Sequence, residues 1–269
     1  MTMMLRALAG LWIGALMLAA PAAAATGGRC FAIAENLRGL DRVKVRYVAL
    51  AADEVKITYV SHSTFLIESP GGIRLATDFT GWAGRGVVPE VVTMNHAHES
   101  HYTDTPDPAI RHVLRGWNPD GPNPIVHNLR VGDVIIRNVT TDIRGWGGGV
   151  EKDGNSIFIF EVANLCIGHL GHLHHELTPA HRAVIGVLDI VMAAVDGSYT
   201  LKVENMAETL KLLSARLILP MHYFGPATLA RFLEAMKGSF AVEISASNSI
   251  TVSDRTLPSE PKILVLPGY

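Results

Sequence analysis

Three histidines lie within six residues of the segment NHAHESHY, where His96, His98 and His101 directly follow the apolar run VVTM. A loop of this kind can direct several imidazoles at one point, and neutral imidazole is a good ligand for Zn, Fe, Ni or Cu. The alternative is a polar loop that faces solvent. Because the three rings follow a run typical of a buried strand, we interpret the segment as a metal-binding loop.

A second histidine-rich segment, HLGHLHHEL, contains His169, His172, His174 and His175. Four imidazoles from one short segment cannot all enter the same small coordination sphere. We expect one of them to bind metal, while the others line the site or face solvent. A single further histidine, His222, ends the run LILPMHY, where a histidine considered alone is more often part of the core.

The elements that must position these histidines are short β-type runs. From Val55 onward the runs VKITYVS, TFLIES and IRLATD are separated by Ser, Gly and Pro, a pattern typical of hairpins. After Thr178, helix-type and strand-type segments alternate, which indicates an α/β architecture. Each histidine cluster stands at the end of a β-type run, and ligand sites in layered α/β folds usually assemble there. The segment from Tyr102 to Pro124 is predicted to be a surface loop.

The composition suits an enzyme-sized globular chain. The 269 residues are 48% hydrophobic, and the formal net charge is -2 with no basic stripe, so nucleic acid is not an expected partner. Residues 1–25 have the pattern of a secretory signal peptide, and residues 26–269 are predicted to form one domain. The apolar run is shorter than the roughly 20 residues that span a bilayer. We expect a periplasmic or secreted protein without stable membrane insertion after cleavage; the alternative is an N-terminal anchor.

Other catalytic or thiol chemistry has little support in the sequence. There is no GxSxG elbow and no GxxxxGK[ST] phosphate loop. The two cysteines, Cys30 and Cys166, could pair in an oxidising compartment or remain separate buried thiols, and the sequence leaves both possibilities open.

Several of these motifs occur together in a known family. The chain resembles the metallo-β-lactamase superfamily, in particular its branch of small metal-dependent hydrolases that includes ascorbate-phosphate lactonase-like proteins. The motifs that carry the resemblance are SHSTFLIES with His62, LATD with Asp78, NHAHESHY, HLGHLHH, the VDGSYTL turn and PMHY. The resemblance implies an α/β fold of the αββα four-layer sandwich type, with the metal centre at one edge between two sheets.

The resemblance also implies a set of metal ligands. The usual HxHxDH loop places His96 and His98 on a first metal and His101 on a second. The aspartate that bridges both metals in the family falls at His172, and the last family histidine falls at His222. Three further residues, His62, Asp78 and Ser100, are expected to support the ligands.

This chain departs from the family pattern at three places. Ser100 stands where the loop aspartate belongs, His172 stands where the bridging aspartate belongs, and the segment TDIRGWGGG lacks the expected mid-chain histidine. Two divalent ions without carboxylate ligands would be costly to bury, because neutral imidazole does not offset charge. We therefore predict one ion, with Zn²⁺ favoured and Fe, Ni or Cu as alternatives.

These features predict a periplasmic metal-dependent hydrolase of a small ester, lactone, amide or phosphoester, in which the ion activates water. Because the loop carboxylate is replaced by Ser100, the proton acceptor is expected to be His101, His169 or another neighbouring residue. Two alternatives are a degenerate, non-catalytic member that binds or senses metal, and a redox metalloprotein.

Overall fold

A computed structural model describes residue 30 and residues 50–268 of the chain. The predicted signal segment lies outside these residues, and so do positions 26–29, 31–49 and 269 of the predicted domain. The described residues form two mixed β-sheets, one with six strands and one with eight. Within the described part of the chain, no helix is long and apolar enough to cross a membrane.

The six-stranded sheet has the order β13-β1-β2-β3-β4-β5. Strands β1 and β2 form the predicted hairpin, with Ile57 opposite Ile67, whereas β4 runs parallel to both β3 and β5. The bounds of its strands are β1 Val55–Ser61, β2 Thr64–Glu68, β3 Arg74–Ala76, β4 Val91–Met94, β5 His112–Arg115 and β13 Ser249–Val252. Strand β5 lies inside the segment predicted to be a loop, so that prediction was wrong for four residues.

The eight-stranded sheet has the order β12-β14-β11-β10-β9-β8-β7-β6. Its first half along the chain is antiparallel, while β9, β10, β11 and β14 run parallel to one another. The bounds of its strands are β6 Asn128–Val131, β7 Val134–Arg144, β8 Val150–Val162, β9 Leu165–His169, β10 Ile190–Ala194, β11 Leu217–Met221, β12 Ala241–Ile244 and β14 Lys262–Val265. A 3-10 turn at Trp146–Gly148 joins β7 to β8.

The main core lies between the two sheets. Phe65 and Ile67 of the first sheet belong to the same buried cluster as Phe158, Phe160 and Met192 of the second. The other face of the eight-stranded sheet is covered by three helices, α1 Pro179–Ile185, α2 Val203–Leu213 and α3 Pro226–Ala235. Two stacked mixed sheets with helices on the outer face of one agree with the α/β sandwich predicted from the sequence.

Helix α1 begins where the sequence predicts it. Thr178 is its N-cap, the Thr178 side chain accepts the backbone N–H of His181, and Pro179 occupies the first turn. Proline suits that position because the first helical N–H groups have no partner within the helix.

Parallel strands bring the polar residues of the sequence clusters to one edge of the sandwich. Asp78 follows β3 and the loop with His96 follows β4, so both lie at the carboxyl ends of parallel neighbours. His62 occupies the turn between β1 and β2, and since β2 is antiparallel to β3, that turn lies at the same edge. In the second sheet, the segment with His172 follows β9 and His222 follows β11.

A disulfide ties this sheet to a residue far away in the sequence. Cys30 and Cys166 are joined across 136 residues, with a Cα–Cα distance of 5.8 Å. The backbone N–H of Val187 donates to the Cys30 carbonyl at 3.2 Å. Cys30 is therefore joined to β9 by the disulfide and to the turn that follows α1 by this hydrogen bond.

Removing this disulfide is expected to destabilise the protein markedly. A long closed loop strongly restricts the unfolded chain, so replacing both Cys30 and Cys166 by alanine should lower the free energy of unfolding by about 2–5 kcal/mol. Denaturant unfolding with and without a thiol reductant measures this change. The reductant should shift the unfolding midpoint of the wild type and leave that of the double variant unchanged. Equal midpoints for the wild type and the double variant without reductant would contradict the prediction.

Candidate metal centre

Three histidines converge where the two sheets meet. The ligating nitrogens of His62, His101 and His222 all lie within 4.8 Å of one another, and no other trio of histidine, cysteine or carboxylate groups in the described residues meets that condition. His101 and His222 are almost completely buried, and His62 is half-buried. The ring centroids are 4.2 Å apart for His62 and His222, and 5.1 Å apart for His101 and His222.

Two buried carboxylates fix the orientation of two of these rings. His101 Nδ1 lies 2.6 Å from Asp78 Oδ2, and His222 Nδ1 lies 3.0 Å from Asp196 Oδ1. Burial raises the pKa of each carboxyl, but the hydrogen bonds and charge interactions with the histidines and neighbouring groups outweigh burial and bring the net pKa below its ordinary value. Both carboxylates are therefore ionised and can only accept hydrogen bonds.

The tautomers of His101 and His222 follow from these contacts. Each Nδ1 must carry the proton that its carboxylate accepts, so in the neutral ring each Nε2 carries a lone pair. The two Nε2 atoms face each other at 3.2 Å. Two lone pairs at that distance repel each other unless a cation lies between them. Two nitrogens bound to one tetrahedral Zn²⁺ at about 2.0–2.1 Å would be about 3.3 Å apart.

His62 supplies the third nitrogen. Its Nε2 is buried and has no hydrogen-bond partner, which is costly for a polar atom. Burial, followed by the neighbouring His222 and His101, lowers the pKa of His62 to about 4, so the ring is neutral near pH 7. The His62 carbonyl is held by the His222 backbone N–H and the Tyr59 hydroxyl, each at 2.8 Å. Three imidazoles that converge in this way fit the ligand set of one divalent ion.

The two carboxylates also supply negative charge that can compensate the positive charge of a bound ion. Asp78 and Asp196 each lie one imidazole ring away from the ligating nitrogens, and both carboxylates are buried. Their two formal negative charges match the charge of one divalent ion. A carboxylate that accepts from the outer nitrogen of a ligating histidine is a common support of zinc sites.

Asp196 was missed as a site residue by the sequence analysis, although the VDGSYTL turn was recognised as a motif. The available signal was an acidic residue two positions after the buried strand β10, which ends at Ala194. Its carboxylate also accepts the backbone N–H groups of Ser198 and Tyr199, at 2.8 and 2.6 Å. The same side chain therefore shapes the turn and orients His222.

Beside the histidine triad of His62, His101 and His222 lie three further predicted ligands, His96, His98 and His172, which do not belong to it. Their rings are nearly parallel, with centroids 5.2–6.3 Å apart. His96 Nδ1 donates to the Gly154 carbonyl at 2.8 Å, whereas His98 is exposed and its Nδ1 lies 2.8 Å from Ser100 Oγ. The structure thus gathers all five predicted ligands at one edge, and it brings His101 and His222 together with His62.

His169, a predicted proton acceptor, lies in a different environment. The ring is fully buried, its Nε2 is 2.8 Å from the Ser63 carbonyl, and its Nδ1 accepts the Gly171 backbone N–H at 3.2 Å. Asn95 Nδ2 also lies 3.1 Å from Nδ1. Both nitrogens are thus engaged, and the ring joins β9 to the β1–β2 turn. Nδ1 of His101, the other predicted acceptor, is committed to Asp78.

Arg144 lies where the expected mid-chain histidine is missing. Its backbone N–H donates to His174 Nδ1 at 2.7 Å, and its guanidinium donates to the carbonyls of Ser198, Tyr199 and Thr200. This arginine therefore connects the end of β7 to the turn that carries Asp196. It supplies no metal ligand.

A cavity of about 360 Å³ adjoins the histidine cluster through His174. Two of its side chains, Arg144 and Lys202, are cationic, and one, Glu176, is anionic. The complete lining is Arg144, His174, His175, Glu176, Leu201, Lys202 and Asn205.

Comparison with known proteins identifies the family. A family model described as a beta-lactamase superfamily domain matches residues 56–222, which include the whole histidine cluster. The chain therefore belongs to the metallo-β-lactamase superfamily, as the fold and the motifs indicate. No curated protein matches the chain.

Several solved structures share the fold. One is a protein of Thermotoga maritima, provisionally described as a Zn-dependent hydrolase of the metallo-beta-lactamase superfamily. It is 27% identical, with a TM-score of 0.58, and the match covers 80% of this chain and 100% of that one. A Parabacteroides distasonis protein, provisionally described as a metal-dependent hydrolase, is 14% identical, with a TM-score of 0.52 over 69% and 89% of the two chains. YhfI of Bacillus subtilis, a metallo-beta-lactamase fold protein, is 13% identical, with a TM-score of 0.51 over 80% and 98%.

Proposed function

We propose that this protein is a metal-dependent hydrolase with a single divalent ion held by His62, His101 and His222. The main observation behind the proposal is that the Nε2 atoms of His101 and His222 face each other at 3.2 Å, while each Nδ1 faces a buried carboxylate. The unpartnered Nε2 of His62 supports it, because that atom would also gain a partner. Three imidazoles and one open position are typical of catalytic zinc sites, so Zn²⁺ is favoured over Fe, Ni or Cu.

The chain's own residues divide the remaining tasks. When bound, the ion would supply Lewis acidity, which activates water and polarises an acyl or phosphoryl oxygen. Asp78 and Asp196 keep the Nδ1 protons in place and thereby leave both Nε2 lone pairs available. The β1–β2 turn presents His62 opposite them and is anchored by its carbonyl contacts with Tyr59 and His222.

The adjoining cavity supports a small-molecule substrate. Its volume of about 360 Å³ suits a small ester, lactone, amide or phosphoester rather than a polymer. Arg144 and Lys202 outnumber the single carboxylate Glu176 in its lining, so an anionic group on the substrate is favoured. The disulfide of Cys30 is consistent with a periplasmic or secreted protein, because disulfides persist in oxidising compartments.

The experiment that tests the proposed function has two parts. The metal content of protein purified without added metal is measured first, followed by turnover of neutral and anionic esters, lactones, amides and phosphoesters. One tightly held ion and faster hydrolysis of the anionic members are expected. One ion without any turnover would indicate a metal-binding, non-catalytic protein. A redox-active ion with oxidase activity, or a folded protein that binds no metal, would overturn the proposal.

A further inference from the structure

His172 occupies the position at which the family resemblance places a metal-bridging aspartate, and it was predicted to be a ligand. We propose instead that the protonated Nε2 of His172 donates a hydrogen bond to the substrate oxygen that becomes anionic during hydrolysis. This proposal rests on the proposed hydrolase function and deepens it. A chain of hydrogen bonds from Arg144 through His174 to His172 fixes the position of this proton.

The contact with Arg144 fixes the tautomer of His174. A backbone N–H can only donate, and the Arg144 N–H lies 2.7 Å from His174 Nδ1. His174 Nδ1 must therefore be the acceptor and carry a lone pair. In the neutral ring, the proton of His174 lies on Nε2.

The contact with His174 in turn fixes the tautomer of His172. His174 Nε2 lies 2.8 Å from His172 Nδ1, so the proton on His174 is donated to that atom. His172 Nδ1 is consequently an acceptor, and the His172 proton lies on Nε2. Binding of a metal ion to His172 Nε2 would require loss of this proton, which would leave an imidazolate ring. The hydrogen bonds therefore favour a donor at this position over a ligand.

The position of His172 allows that donor to act at the metal centre. Its ring centroid lies 4.6 Å from that of His101 and 5.2 Å from that of His222. Among the described residues, none accepts a hydrogen bond from His172 Nε2, so its proton remains available. The backbone is fixed as well, because the His172 N–H donates to Asn155 Oδ1 at 2.8 Å.

The glycine before His172 explains how the ring reaches this place. Gly171 has a φ of 61°, and a Cβ at this position would lie only 2.4 Å from Asn155 Oδ1. Only glycine allows the backbone to pass so close to Asn155. The sharp turn after β9 then directs His172 towards the triad.

A prearranged donor of this kind stabilises charge that develops on an acyl or phosphoryl oxygen, and one such donor contributes about 10²–10³ to kcat. Arg144 and His174 act as positioning residues, because they set the tautomer of His172 without touching the substrate. The presence of His172, a hydrogen-bond donor, in place of the family's bridging aspartate also agrees with a site that binds one ion.

The direct test is ¹⁵N NMR of the histidine rings in the metal-free and zinc-loaded protein. We expect a protonated Nε2 and an unprotonated Nδ1 for His172 in both forms. A His172 Nε2 that lacks a proton in the zinc-loaded form would identify a ligand and overturn the proposal. This measurement needs no turnover. A protonated Nε2 in a protein that hydrolyses nothing would therefore refute the hydrolase function and leave the tautomer assignment standing.

Variants test the catalytic role. His172→Leu should retain one zinc ion with wild-type affinity, while kcat falls about 10²–10³-fold. His172→Gln should recover part of that loss, because its amide also donates. Loss of zinc from His172→Leu, or an unchanged kcat, would contradict the proposal. His174→Phe should give a mixture of His172 tautomers in the NMR spectrum, a change that a purely packing role for His174 would not produce.

Discussion

Replacing His222 by alanine is expected to abolish tight binding of the metal ion and, with it, hydrolysis. Structural zinc sites with four ligands bind with about 10–16 kcal/mol, which corresponds to about 3 kcal/mol for each ligand. Loss of one ligand should therefore weaken zinc binding by at least about 100-fold. Competition with a chelator of known affinity measures the change, and thermal unfolding of the metal-free protein verifies that the variant folds.

The same experiment distinguishes the triad from the ligands that the family pattern implies. His62→Ala and His101→Ala should behave like the His222 variant, whereas His96→Ala should keep its zinc, because His96 does not belong to the triad. His112→Ala, a change at the start of β5, is the matched control for loss of a histidine elsewhere. If His96→Ala lost zinc while His62→Ala retained it, the ion would be bound by His96 and His98, as the family resemblance implies, and our assignment would be wrong.

Much of the fold was accessible from the sequence because its signals are local. Alternating apolar residues identified the β1–β2 hairpin, and the Thr178–Pro179 pair marked the start of α1. Strand β5 was not recognised, because four residues between Pro- and Gly-rich stretches carry too little periodicity. The edge strand β13 pairs Val252 with Val55, and such long-range pairing leaves no local pattern.

The candidate site was predicted in outline. Histidine clusters at strand ends correctly indicated one shared edge, because parallel strands end on the same side of a sheet. Which histidines form the triad depends on distances in the folded protein, and the positions of the residues along the sequence do not give those distances. His62 is an isolated histidine in a tight turn, and its approach to His222 follows from the way in which the two sheets meet.

Hydrogen-bond direction is a further property that the sequence could not supply. The proton on His172 is set by a backbone N–H that lies 30 residues from His174 in the chain. The sequence likewise does not show that Asp78 and Asp196 accept hydrogen bonds from the Nδ1 atoms of His101 and His222 and so place negative charge near the ligating atoms.

Asp196→Asn should move the proton of His222 from Nδ1 to Nε2. One oxygen of Asp196 accepts the backbone N–H groups of Ser198 and Tyr199, and the other faces His222 Nδ1. An asparagine amide nitrogen cannot accept from a backbone N–H, so the amide oxygen must remain on the side of the turn. Its NH₂ group then faces His222 Nδ1, which can accept that hydrogen bond only after losing its own proton.

The expected result is a folded protein with a damaged metal site. With its proton on Nε2, His222 no longer offers a lone pair beside His101, so zinc affinity should fall by at least about 10–100-fold. In catalytic triads a wrong tautomer of this kind costs about 10⁴ in kcat. ¹⁵N NMR of His222 and chelator competition measure the two effects. The matched control is Asp189→Asn at the opposite end of β10, where the carboxylate accepts the Cys166 backbone N–H. Asp189→Asn should alter the stability of the protein without altering its zinc affinity. Wild-type zinc affinity in Asp196→Asn would show that the Asp196 carboxylate does not determine the tautomer in which His222 binds the ion.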